Sequence, residues 1–258
     1  MTGALAALVA AFGLSSCGTP IPMQEMVPAK VCVPRNARVA ISASGPGASE
    51  MQQATREVIG GDDYFTLAYG DADLGLNIRT DRTVTRKYFT DNKGKSQYYD
   101  EEKSYAGFSL VNYHNQSVIT STGLDYIGAT FSERRCRNAA KEFYDIIHPH
   151  VVDYKVRVSI DEDENPNLMA AAQLCQAGKW EEAYAKVQES IAAVPNDPEA
   201  YFLKAMIERE DFKFDESDAS LRQAIQMENK SKYTEAIQKN ATLRVTQEQA
   251  AAQMSYAL

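Results

Sequence analysis

Displaced against itself by 34 residues, the carboxy-terminal part of the chain matches. Leu168 falls on Phe202, Ala171 on Ala205, Trp180 on Phe214, Glu182 on Glu216 and Val187 on Leu221. A period of that length constrains the fold more than any other feature, because one such unit cannot bury its apolar side alone and must stack on a neighbour. The alternation of large and small residues has a packing reason. Two helices approach closely only where side chains such as Ala171 and Ala183 are small. Since about 3 units are usually needed for stability, residues 230–258, which have helical composition, and the domain before the repeats are expected to act as caps.

The stretch AGKWEEAYAKVQESIAAVPNDPEAY resembles a tetratricopeptide repeat, with Gly178 at the turn between helices, Trp180 and Ala183 on the second helix, and Pro195 ending it. The next unit, about 198–230, departs from the pattern: Phe212 stands for the turn glycine and Ser217 for the small alanine, so a looser turn is expected there. The resemblance implies a concave, peptide-binding face lined by Leu168, Ala172 and Cys175 from the first unit and Phe202, Met206 and Arg209 from the second. Such a surface suits an extended peptide or a partner helix. The alternative is that Leu168, Phe202 and Met206 pack against the rest of the chain.

Charge divides the 258 residues in two. Residues 17–160 hold 17 basic and 17 acidic side chains, residues 161–258 hold 10 and 18, and the net charge of −8 thus belongs to the second half. Two separately composed units are expected. Neither has the basic face a nucleic-acid partner needs.

Before the repeats, RVAIS (Val39 to Ser42) reads as a strand and Ser49 opens a helix with Met51, Ala54, Val58 and Ile59 on one face, stopped by Gly60-Gly61. Strands follow at Tyr64 to Tyr69 and from Leu74 through Tyr88. A turn at Asp91-Asn92-Lys93-Gly94 then returns the chain through Tyr105 to Tyr113, and Val118 to Thr122 adds another strand. A second helix opens at Ser132, with Cys136, Ala139, Ala140, Phe143 and Ile147 as its apolar stripe, and Val156, Val158 and Ile160 form a last strand. The expected class is α+β: a mixed sheet with two helices over about 30–161, then all-α helical hairpins over 162–258. This order resembles in topology the periplasmic domains of TolB amino-terminal type, found in penicillin-binding-protein activator and curli-secretion lipoproteins. Charge on both faces of the central hairpin, from Arg86-Lys87 and Asp100-Glu101-Glu102-Lys103, argues against its insertion into a bilayer.

At the other end, Ala4 to Leu14 is apolar and uncharged but well short of the roughly 20 residues a spanning helix requires. Leu14-Ser15-Ser16-Cys17 resembles the bacterial lipobox, although nothing basic occurs before Lys30. The resemblance implies a signal peptide over 1–16, lipid on Cys17 and a tether over 17–29. At ~0.8 kcal/mol per buried methylene, several acyl chains make a stable anchor. Gly18 after the cysteine implies sorting to the outer membrane, facing the periplasm.

Of the remaining cysteines, Cys32 and Cys136 form a candidate disulfide in an oxidising compartment; buried small hydrophobes are the alternative. No cysteine pair has metal-ligand spacing, and His148-Pro149-His150 at a helix end fits a dipole contact rather than a ligand pair. No serine sits in a G-x-S-x-G context, the acidic run Asp161 to Glu164 lacks calcium-loop spacing, and Gly45 to Ser49 reads as a loop entering a helix. The expectation is a protein that is not an enzyme, holds no cofactor or metal, and serves as a lipid-anchored periplasmic adaptor for another envelope protein or peptide. The rival is a regulator or subunit of a cell-wall synthesis or secretion machine acting through the α+β domain.

Overall fold

A computed structural model describes residues 18–256. In chain order the elements are β1 (Thr19–Val27), β2 (Arg38–Ser44), α1 (Ala48–Ile59), β3 (Thr66–Ala68), β4 (Leu74–Thr90), β5 (Ser96–Asn112), β6 (Val118–Ser121), β7 (Asp125–Gly128), α2 (Glu133–Ile147), β8 (His150–Val158), α3 (Pro166–Gln176), α4 (Trp180–Ala193), α5 (Pro198–Glu210), α6 (Phe214–Met227) and α7 (Ser231–Ser255). The class is α+β, with a mixed sheet bearing two helices and the other helices in the carboxy-terminal half. Two compact units emerge among the described residues: a sheet unit, Pro28–His150 with residues 249–256, and a helical unit, residues 18–27 with Val151–Glu248.

In the sheet unit the strand order is β3-β2-β4-β5-β6, with β7 also on β5. Strand β2 runs parallel to β3 and β4, whereas β4, β5 and β6 are antiparallel. Leu74, Leu76, Ile78 and Thr80 alternate inward on β4, and Ala106, Phe108 and Leu110 do so on β5, so one face of the sheet is buried. Helices α1 and α2 join the same core through Met51, Ala54 and Ile59 and through Cys136, Ala139, Phe143 and Ile147. The Phe143 ring stacks on Phe108 with centroids 4.8 Å apart. The last turn of α7 belongs to this unit too. There the Gln253 amide brackets the backbone of Ala29, accepting from its N–H at 2.8 Å and donating to its carbonyl at 3.0 Å.

In the helical unit α3 packs on α4, α4 on α5, and α5 on α6. Asn165 caps α3 by accepting from Leu168 N–H at 3.2 Å, and Asp197 caps α5 by accepting from Glu199 N–H at 2.9 Å, each followed by a proline in the first helical turn. The turns after α3 and α5 share one geometry. Lys179 N–H reaches Leu174 O and Gly178 N–H reaches Cys175 O at 2.9 and 3.0 Å, and Lys213 and Phe212 repeat both bonds on Glu208 and Arg209 at 2.8 and 2.9 Å. Phe212 is therefore left-handed at φ 61°, beside 72° for Gly178, so the second turn is as tight as the first instead of looser. At the other substituted position the buried Ser217 hydroxyl donates to Ala205 O at 2.8 Å.

Two sequence expectations change. The segment expected as a tether over 17–29 contains strand β1, and the strand expected to close the main sheet, β8, pairs with β1 in a separate two-stranded sheet of the helical unit. The unit boundary accordingly falls at His150 rather than near residue 161. Gly18 lies against Val158 and the Gln24 side chain bonds Asp153 at 2.9 Å, so β1 and β8 run in opposite directions. The alternation explains the change: Ile21 and Met23 point into the helical core with Val158, while Pro22 and Gln24 face out. In a two-stranded sheet both strands are edges, where a proline without an N–H is tolerated.

Candidate interaction surfaces

The six residues assigned to a concave peptide-binding face are together, but not at a surface. Leu168, Ala172, Cys175, Phe202 and Met206 are buried in one cluster with Ile21, Met23, Val158, Tyr233 and Ala236, and Arg209 is buried as well. Strand β1 lies along α3, where Gln176 donates to Pro20 O at 2.9 Å. Helix α7 meets α5 through the Phe202 and Tyr233 rings, 5.2 Å apart. The guanidinium of Arg209 donates to Asn240 Oδ1 at 2.6 Å and to Ala236 O at 2.8 Å. Asn240 in turn donates to Ser217 Oγ at 2.9 Å, so the hydroxyl that replaces the small alanine also ties the tail helix down. The chain's own segments fill the place of a bound peptide, and the assignment of these residues to partner binding is corrected accordingly.

Beside that cluster lies a cavity of about 330 Å³ walled by Met23, Tyr154, Cys175, Trp180 and Glu210, at the lower limit of the volumes small-molecule sites occupy. Burial pushes the Cys175 thiol up to about 12 and raises the Glu210 carboxyl. A thiol held that strongly protonated is a poor nucleophile.

The candidate disulfide is not formed. Cys136 is buried under α2 and Cys32 is exposed, and both thiols are free. Cys17 and the rest of the lipobox-like block Leu14 to Cys17 lie outside the described residues.

A polar cluster surrounds the end of α2. The Tyr144 hydroxyl donates to the Asp62 carboxylate, 2.7 Å from either oxygen, and the His148 ring stacks on Tyr144 at 4.6 Å with Nε2 3.6 Å from Asp62. Burial lowers the His148 pKa despite the pull of Asp62, and burial with the Asp62 bond raises Tyr144 far above the phenol range. Both groups stay neutral near neutral pH and act as a clamp between α2 and the loop before β3. Among the described residues no three His, Cys, Asp or Glu side chains converge as metal ligands would.

The surface the fold leaves open is the outer half of the β4–β5 hairpin. β2 pairs with β4 only as far as Arg79, and β7 reaches β5 only from Ser104. Among the described residues, Thr83 to Thr90 and Ser96 to Lys103 therefore pair only with each other and form a two-stranded ribbon with both outer edges unpaired. Its turn is built by Asp91, whose carboxylate accepts from Lys93 and Lys95 N–H, both at 2.9 Å, and by Gly94 at φ 74°. Near the tip are two cross-strand aromatic pairs, Tyr88 with Tyr98 on one face and Phe89 with Tyr99 on the other, with ring centroids 6.3 and 6.2 Å apart. Their exposures are 71, 60, 49 and 53%. Behind them each face carries an ion pair: Arg86–Asp100 at 2.9 Å beside Tyr88, and Lys87–Glu101 at 3.8 Å beside Phe89.

Sequence reading found this hairpin and its charges but missed its aromatics as a surface. The signal was present in YF and YY, placed symmetrically about the turn.

No family model and no curated protein matches the chain. Among solved structures, a PDZ domain protein from Parabacteroides distasonis is similar at a TM-score of 0.31 and 11% identity, over 58% of this chain and 42% of that one. A putative neuraminyllactose-binding hemagglutinin homolog from Helicobacter pylori is similar at a TM-score of 0.28 and 11% identity, over 44% of this chain and 84% of that one.

Proposed function

We propose that this protein is a non-catalytic adaptor of the bacterial envelope, anchored by lipid on Cys17 to the periplasmic face of the outer membrane, that docks a protein partner through the β4–β5 ribbon. One observation carries the reading. Four large aromatics and two unpaired strand edges are held in solvent where they contribute nothing to either core. Aromatic side chains are the preferred anchors of protein interfaces, and an open edge offers backbone hydrogen bonds to an incoming strand. The lipobox-like Leu14 to Cys17 supports the address. The tetratricopeptide-like helices are then a self-filled scaffold and not the docking groove. That the ribbon belongs to the sheet unit favours regulation of, or membership in, a cell-wall or secretion machine over peptide capture by the repeats.

Replacing Val84–Glu102 by a short turn tests this. The shortened, membrane-anchored protein is expected to keep its thermal unfolding within a few degrees and to lose the partner recovered with the native chain. Recovery of the same partner by the shortened protein would count against the proposal.

A further inference from the structure

The charges of the ribbon are sorted by strand. Between Asp81 and Thr90, β4 carries Arg82, Arg86 and Lys87 against one acid, Asp81; between Ser96 and Lys103, β5 carries Asp100, Glu101 and Glu102 against one base, Lys103. Inside one ribbon the two columns meet, in Arg82–Glu102 at 2.6 Å, Arg86–Asp100 at 2.9 Å and Lys87–Glu101 at 3.8 Å. These side chains all keep between a third and about half of their surface exposed, so each can take a second neighbour. One open edge is thus basic and the other acidic.

An open strand edge invites pairing with another chain, and proteins that avoid it commonly charge the edge so that copies repel. Here that repulsion acts selectively. A symmetric pairing of β4 with β4 sets one basic column beside another, and β5 with β5 one acidic column beside another, and like charges across strands are destabilising. Pairing β4 of one copy with β5 of the next places every basic column between two acidic ones, keeps the antiparallel alternation of the hairpin, and covers Tyr88 and Phe89 of one copy with Tyr98 and Tyr99 of the other.

We infer that the occupant of the ribbon edges is a second copy of this chain, joined head to tail, β4 to β5. Such an interface is heterologous and repeats from copy to copy, closing into a ring or continuing as a filament according to the rotation at each step. It rests on the reading of the ribbon as a docking surface and specifies the partner.

The full-length lipidated chain in mild detergent is the test object, and sedimentation velocity the readout. The native chain is expected to sediment as an oligomer that added salt disperses, since half-exposed ion pairs are screened. A variant with Arg86→Glu and Lys87→Glu, and a second with Asp100→Lys and Glu101→Lys, are each expected to be monomeric. Their equimolar mixture is expected to reassemble, because each supplies the edge the other lacks. A third variant exchanges both pairs at once (Arg86→Asp, Lys87→Glu, Asp100→Arg, Glu101→Lys) and so preserves the ion pairs within each ribbon. It is expected to self-assemble yet to enter native oligomers at least tenfold less than native chains do. A native chain that stays monomeric, reversal variants that assemble unchanged, or an exchanged variant that mixes freely with native copies overturns the inference. A monomer whose ribbon still captures a different envelope protein overturns only self-pairing. Loss of both overturns the docking reading as well.

Discussion

Phe212 occupies a backbone conformation that glycine takes without cost. Its φ of 61° puts Cβ in the left-handed region, where an L side chain is disfavoured by roughly 1–2 kcal/mol. The ring is 64% exposed and returns little packing. Phe212→Gly is therefore expected to raise unfolding stability by about 1 kcal/mol, read as a higher denaturant midpoint at unchanged slope; a lower midpoint would mean that the ring contributes more than its exposure implies. His148 gives a pH effect with a defined sign. Its folded pKa is depressed by burial, so folding favours the neutral ring. That contribution is full above the unfolded value of about 6.5 and is lost as pH falls below it toward the folded value. His148→Phe can keep the stack on Tyr144 but cannot charge. Between pH 7 and 5 its melting temperature is expected to fall less than that of the native chain, and parallel curves would remove His148 as the source.

At the level of elements, β1 decides how the repeats end. Ile21 and Met23 lie fully inside the helical core, so Ile21→Asp buries an unpaired carboxylate and is expected to cost several kcal/mol. The result would be lower thermal stability with Leu168 and Cys175 uncovered, measured as new accessibility of the Cys175 thiol to alkylation. If the thiol stays protected, β1 is not what covers α3. Much of this architecture was legible. The 34-residue period located both helix pairs, and the strand from Leu74 through Tyr88, the turn at Asp91 to Gly94 and the return through Tyr105 to Tyr113 located the central hairpin of the sheet. What escaped was non-local. Two prolines in TPIPM read as a tether because nothing in that stretch reveals a partner more than a hundred residues away in β8. Arg209, a charged residue at a helix face, read as exposed because its partner Asn240 lies on a tail helix whose docking leaves no local signature. The concave set was recognised as a group and assigned the wrong role for the same reason: sequence shows which residues share a face, while coverage of that face depends on distant segments. Phe212 misled by residue type, since the turn geometry survived without its glycine.

For the whole molecule, each unit closes its own core, and four exposed aromatic side chains gather near the tip of one ribbon. The helical unit spends its repeat groove on β1, β8 and α7, and the sheet unit projects a ribbon longer than its sheet requires. On the proposed function, recognition belongs to the ribbon and not to the groove. A photo-crosslinking amino acid placed at Tyr98 or, separately, at Met206 in the full-length protein in living cells tests this. Intermolecular crosslinks are expected from position 98 and none from position 206. Crosslinks to another protein from 206, with 98 silent, would contradict it.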